Sequence, residues 1–533
     1  MSDGVELLAD HYFSKSGGKK DPIVLMRSPY GRNSIWGIIA RLVSERGYQV
    51  LIQSVRGTFG SGGEFDPEVN EARDGIDTTK WIGDQEWFSG VVGMLGPSYL
   101  GYVQWAIATN SPPEWFKAIA PVITASEFRT LTYPGETFAL DSVLSWTYLI
   151  QNQEKRGLGR YTIQLRSRSA LKPAFNHVPL NEADEIAIGK KIKGFQDVIT
   201  NDAPGSPYWE MRDHSKKVKD VSVPAHLVGG WYDIFLPSQL FDYRSLKASG
   251  KTVPYLTIGP WTHANFGGIF SELRESISWL DVHLRGEHSK LRANPVRIYL
   301  MGRKKWLNLE EWPPREMEIT RWYLQGNKLL SRDASPKESS PESYDYDPKD
   351  PTPSVGGIVL GSDSGPKDNR KLETRRDVLS YTSSPFERDY SIVGPVSVDL
   401  FVKSSLDNTD FFARICDVSP DRRSTNICDG MLRLRPRDFE KHRGSDGVAH
   451  VNFDLWPTAN CFLKDHRLRL QVSSGAHPRF ARNLGSGEPL ATATTFKVAH
   501  QEIYHDEDHP SSVLIPEYPE DTSNLASSKF PLA

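Results

Sequence analysis

Cysteine is scarce. The chain of 533 residues has 3, Cys416, Cys428 and Cys461, an odd number without metal-ligand spacing. No disulfide framework is expected, and buried free thiols are, although Cys416 and Cys428 are spaced to face each other across a hairpin. Long apolar runs are missing: nothing approaches the ~18 residues of a membrane span. An excess of one charge is missing too. Lys+Arg 64 against Asp+Glu 67 leaves −3, so no net field draws nucleic acid or an anionic membrane. Residues 1–22 hold no basic start followed by an apolar block, so no signal peptide is read, and with the cysteine usage this points to the cytoplasm. No His/Asp/Glu cluster has metal-ligand spacing. The Gly57–Gly63 run lacks both G-x-G-x-x-G and a Walker lysine, and reads as a structural loop braced by Arg56. No cofactor and no metal are implied.

Core-forming material is plentiful: 38% hydrophobic residues, with 14 Trp, 20 Tyr and 23 Phe. A disordered chain is excluded, and a prior of roughly 150 residues per domain suggests about three or four domains. Up to about residue 124, short apolar runs (22–27, 48–53, 91–95, 118–122) alternate with helical patterns, one of them on Ile35, Ile38, Ile39, Leu42 and Val43. That order predicts a parallel α/β sheet covered on both faces. From 125 to 217 the chain reads as helical and irregular, with a stripe on Leu140, Val143, Leu144, Thr147 and Ile150. Two buried-strand runs, 225–228 and 255–258, then return, which makes 125–217 a helical insertion into one domain of residues 1–124 plus 218–316. Beyond, period-two runs such as Val396, Val398, Leu400 and Val402 predict an all-β sandwich or jelly roll over 317–533. The Pro/Ser-rich tail after about 510 is expected to drape over the surface.

The sharpest chemical signal is Gly96-Pro-Ser98-Tyr-Leu-Gly101, where an apolar strand runs into a serine and a helix follows at once. That is the setting of a nucleophile elbow, although position 100 is Leu and the second Gly comes at 101. The alternative is a serine N-cap. A serine needs a base and an orienting carboxylate, and in α/β-hydrolases acid and His follow it in that order at later strand ends. Asp233 ends the 225–228 strand and His263 ends the 255–258 strand. His226 lies within a strand and reads as core. For an oxyanion, the Tyr99 amide is one natural donor. A second is sought in Arg27-Ser-Pro-Tyr30-Gly-Arg32, where the Tyr30 hydroxyl is available, with packing as its other reading. Trp146, Phe235 and Trp231 are candidates for the substrate pocket.

Arg56-Gly-Thr-Phe-Gly-Ser-Gly-Gly-Glu64-Phe, the serine motif, Gly229-Gly-Trp-Tyr-Asp233, Gly259-Pro-Trp-Thr-His263 and Tyr346-Asp-Pro-Lys-Asp-Pro together resemble the CocE/NonD family, cocaine-esterase-like hydrolases related to X-prolyl dipeptidyl aminopeptidases. The resemblance runs from Asp3 to about Pro516. It implies an α/β-hydrolase domain, a helical cap inserted after the sixth strand and a C-terminal jelly roll. It assigns Ser98 as nucleophile, Asp233 as triad acid and His263 as base, and it places Tyr30 in the oxyanion hole. A further strand usual before Asp3-Gly4 is short or absent. Cap tryptophans help line the acyl pocket in cocaine esterase-like members; Trp146 matches one, while the other position is Thr132 or Tyr133.

The expected function is a serine hydrolase that cleaves an ester or amide of a small-molecule acyl substrate through an acyl-enzyme, with neither nucleic acid nor membrane as partner and a homodimer left open. An X-prolyl dipeptidyl aminopeptidase, an α-amino-acid ester hydrolase and an acyltransferase are the alternatives. The first two need carboxylates for a substrate ammonium, and Glu127, Glu136 and Asp141 are the candidates. A non-catalytic β-sandwich binding protein is the reading from another class.

Overall fold

The apolar runs read as buried strands lie side by side in one sheet. In the computed structural model, which describes residues 1–14, 20–33, 35–155, 169–264, 266–361 and 363–519, its strands are β1 Ala9–Tyr12, β2 Ile23–Ser28, β3 Gln49–Ser54, β4 Val92–Pro97, β5 Phe116–Val122, β6 His226–Tyr232, β7 Tyr255–Thr262, β8 Val296–Leu300 and β9 Lys305–Leu309. They are ordered β1-β3-β2-β4-β5-β6-β7-β8-β9. Neighbours from β3 through β8 are parallel, while β1 and β9 are antiparallel edges.

Side chains alternate between two covered faces. Ile23 and Leu25 of β2 join a core with Trp105 and Leu240, while Val24 and Met26 join another with Ile39, Val43 and Leu280. The first core is closed by helices Tyr99–Ala108 and Leu236–Ser249, the second by Ile35–Ser44 and Phe266–Arg285. The apolar stripe expected on Ile35–Ser44 is narrower than its pattern, because Ile38 is 53% exposed.

The chain leaves this sheet after β5 and returns at β6. Between them, helices Leu140–Asn152, Ala183–Ile188 and Lys193–Thr200 pack around their own core of Phe138, Leu144, Phe195 and Trp209. From Glu318 onward, strands build a second, β-rich unit. Val398, Leu400 and Val402 are fully buried on one face of Ser397–Ser404, as their alternation predicts.

The tail is a correction. Ser512–Glu517 is an interior strand paired with Glu318–Gln325 and Ser397–Ser404, its Val513 and Ile515 fully buried, and residues 520–533 lie outside the described ones. Pro510 and Pro516 hid the alternation; Pro516 sits in register with Ile319, near the strand end. All three cysteines are buried and free; Cys428 pairs in register with Ile415 across the hairpin, so Cys416 is not its partner.

Candidate active site

The site lies at the carboxyl ends of β4, β6 and β7, where a parallel sheet gathers its loops. β4 passes directly through Ser98 into helix Tyr99–Ala108, and Ser98 takes φ 57° and ψ −125°, a conformation that costs a non-glycine residue about 1–3 kcal/mol. Two glycines make this turn possible. A Cβ on Gly96 would stand 2.5 Å from the Leu100 Cβ, and one on Gly101 only 2.2 Å from the Thr124 Cγ2. The second glycine is therefore needed at 101, where the helix meets the segment after β5, while Leu100 at the intervening position is fully buried. Gly101→Ala will destabilise the fold by about 1–3 kcal/mol, read as a lower urea midpoint.

β6 delivers Asp233 and β7 delivers His263. The His263 Nδ1 lies 2.7 Å from the Asp233 Oδ2, and its Nε2 lies 3.1 Å from the Ser98 Oγ. The other oxygen of Asp233 accepts the Phe235 amide at 2.8 Å, so the carboxylate is held at both ends. An ionised Asp233 can only accept, which assigns the proton to Nδ1 and leaves the Nε2 lone pair toward Ser98. Near Asp233, burial and its negative charge push the Glu272 carboxyl up to about 8, so no second charge builds beside Asp233 at neutral pH.

Tyr30 follows β2. Its hydroxyl accepts from the Trp146 indole at 3.1 Å and lines the same cavity as Ser98; burial pushes the phenol up, keeping it protonated as a donor. The Tyr99 amide opens the helix beside Ser98. Its side chain is fixed from behind, donating to Glu71 and accepting from the Glu68 amide, both at 2.8 Å, and Glu71 pairs with the buried Arg27.

A cavity of about 320 Å³ opens onto Ser98, lined among others by Tyr30, Trp146, Thr132, Phe235 and Glu68. Val143, Thr147 and Ile150, from the helical stripe read in the sequence, line it as well. Tyr133 is instead buried in the cap, its hydroxyl donating to the Val198 carbonyl. Trp231 is a correction. Its indole donates to the Tyr299 carbonyl at 2.7 Å and packs on Trp312, within the core and away from the cavity. The proposed ammonium-binding acids are a second correction: Glu127 accepts from Ser238 and the Thr130 amide, Glu136 pairs with Arg129, and Asp141 packs where the cap meets the loop at 361, so none lines the cavity. The carboxylate that does is Glu68, from the Phe65-Asp-Pro-Glu68 loop after β3. Its one signal was position beyond a strand's carboxyl end.

Among the described residues no group of three or more His, Cys, Asp or Glu side chains is arranged to hold a metal ion, and no helix is long and apolar enough to cross a membrane.

The chain is 32% identical to the cocaine esterase of Rhodococcus sp. (strain MB1 Bresler) over 97% of both chains. It belongs to the CocE/NonD family of serine hydrolases. Residues 3–265 match the X-Pro dipeptidyl-peptidase (S15 family) profile, and residues 290–514 match the C-terminal non-catalytic domain of X-Pro dipeptidyl-peptidases. Two solved structures share the fold. One is an aminopeptidase from the marine sediment archaeon Thaumarchaeota archaeon (TM-score 0.82, 21% identity, covering 97% of this chain and 95% of that one), the other an α-amino acid ester hydrolase (0.81, 22%, 97% and 95%). Family membership makes this chain an enzyme, a serine hydrolase, with the two-part architecture the resemblance implied.

Proposed function

We propose that this hydrolase cleaves carboxylic esters of a small acyl substrate through an acyl-enzyme on Ser98. The observation that carries the reading is the single imidazole of His263 standing between the Asp233 carboxylate and the Ser98 hydroxyl, at 2.7 and 3.1 Å. His263 takes the Ser98 proton as the oxygen attacks the acyl carbon, Asp233 stabilises the imidazolium, and the proton then passes to the leaving alcohol. Water, deprotonated by the same imidazole, attacks the acyl-enzyme and releases the acid.

The Tyr30 hydroxyl and the Tyr99 amide take the oxyanion, and Trp146 and Phe235 border the acyl group. Tyr30→Phe will lower kcat by about 10²–10³-fold, since one donor aimed at the oxyanion is lost, and will lower folding stability modestly, since the Trp146 indole loses its acceptor. In this reading residues 1–124 plus 218–316 carry the chemistry, 125–217 form a cap, and 317–533 form a jelly roll that supplies Leu360 to the cavity. Three unpaired cysteines fit a cytoplasmic location.

The test is a fluorophosphonate probe with a panel of p-nitrophenyl acyl esters and Ala-Pro-p-nitroanilide. Labelling and ester turnover in the wild type, with both absent in Ser98→Ala, support the proposal. Cleavage of the anilide in preference to every ester would replace esterase by X-prolyl peptidase.

A further inference from the structure

Glu68 sits in an unusual position for a carboxylate. It lies between β3 and helix Glu71–Gly83 at φ 72°, a left-handed conformation that favours glycine. Two tyrosines clamp its backbone: the amide donates to the Tyr99 hydroxyl at 2.8 Å, and the carbonyl accepts from the Tyr102 hydroxyl at 3.3 Å. The residue is 8% exposed and lines the cavity onto which Ser98 opens. Its carboxyl has no hydrogen-bond partner among the described residues.

The charged groups around it do not supply one. Asp66, Glu71 and Glu127 add negative charge, and burial with these neighbours pushes Glu68 up to about 8. Arg212 acts on it most strongly; both its Nη groups are committed elsewhere and its buried Nε has no hydrogen-bond partner among the described residues, while Lys190, Lys191 and Lys193 line other parts of the cavity. Arg212 donates to Asp66 at 2.7 Å and to the Tyr208 carbonyl at 2.8 Å, with its guanidinium 3.7 Å above the Tyr208 ring. A buried carboxyl without a partner is destabilising, and so is its backbone conformation. Both persist where the missing partner arrives with a ligand.

We propose that Glu68 is the specificity residue of the acyl side of this cavity, and that its carboxylate receives a cationic nitrogen carried by the acyl group. The preferred substrates are then esters of amino-substituted acids rather than of plain hydrocarbon acids. An ammonium beside Glu68 gives the carboxyl its charge partner and offsets the three neighbouring acids, while Phe235 and Trp146 contact the hydrocarbon part. The inference rests on the Ser98 acyl-enzyme reading.

The experiment compares ethyl hexanoate, ethyl 2-aminohexanoate and ethyl 6-aminohexanoate, with acid release followed by chromatography, in the wild type, Glu68→Gln and Glu68→Asp. The wild type is expected to favour at least one amino ester over the hexanoate by about tenfold or more in kcat/KM. Glu68→Gln should lower that amino-to-hexanoate ratio by about tenfold, and Glu68→Asp should retain part of it. Fluorophosphonate labelling of each variant shows that the site is folded. A wild type that hydrolyses ethyl hexanoate as well as both amino esters overturns the role of Glu68 and leaves the acyl-enzyme reading standing. An equal loss on all three esters in Glu68→Gln overturns it too and makes Glu68 a structural group beside Arg212. A wild type that is neither labelled nor active on any ester sinks both readings together.

Discussion

Ser98→Ala will lower kcat on an activated ester by about 10⁴-fold or more and abolish fluorophosphonate labelling. The substitution removes one oxygen and leaves the remaining apparatus in place. The turn does not depend on the hydroxyl: it is set by Gly96 and Gly101 and by backbone bonds from the Ser98 amide to Val122 and from Gly101 and Tyr102 to the Ser98 carbonyl. Tyr30 keeps its indole partner, and His263 keeps Asp233. Binding and oxyanion stabilisation therefore survive, and the residual rate measures what they supply without a covalent intermediate. Turnover within tenfold of the wild type would move the nucleophile elsewhere. Substrate affinity read from inhibition by a non-hydrolysable analogue should change little, which separates a chemical loss from a collapsed site.

The residues legible in the sequence share one property: their surroundings are local. Ser98, Asp233 and His263 each end a buried parallel strand, and a parallel sheet places such ends on one rim, so separations of 165 and 30 residues along the chain did not hide them. The edges β1 and β9 were less visible because edge strands are short and half exposed; β9 buries only Leu307 and Leu309. Glu68 was invisible for the opposite reason. Its loop has no periodicity, and its setting is made by Tyr99, Tyr102 and Arg212, which only the fold brings together. Trp231 shows the limit of proximity in sequence: two residues from Asp233, its indole lies in the core and donates to the Tyr299 carbonyl of β8. In the C-terminal unit, prolines at 510 and 516 suggested a loose tail where Val513 and Ile515 in fact fill a core. Composition described the segment's edges and missed its alternating middle.

Asp233→Asn will lower kcat by about 10⁴-fold while preserving the fold, and the reason lies in two hydrogen bonds. Asp233 accepts at both oxygens: Oδ1 takes the Phe235 amide at 2.8 Å and Oδ2 faces the His263 Nδ1 at 2.7 Å. Asparagine offers one oxygen. The Phe235 amide can only donate, so the oxygen stays there and the side-chain NH₂ turns to His263. The imidazole, which can exchange tautomers, then accepts at Nδ1 and carries its proton on Nε2, 3.1 Å from the Ser98 Oγ. A base that already holds a proton on that nitrogen cannot take one from serine. The fold loses no buried volume and gains no unpaired polar group, so the unfolding midpoint should move little while turnover and the rate of fluorophosphonate labelling fall together. Asp233→Ala separates the causes: it frees His263 of both tautomers' constraints but leaves the Phe235 amide without its acceptor, and its loss should be accompanied by a lower midpoint. A decrease of less than about tenfold in Asp233→Asn would mean that another group orients His263; the carboxyl to examine next is Glu272, buried close enough for the charge of Asp233 to raise it.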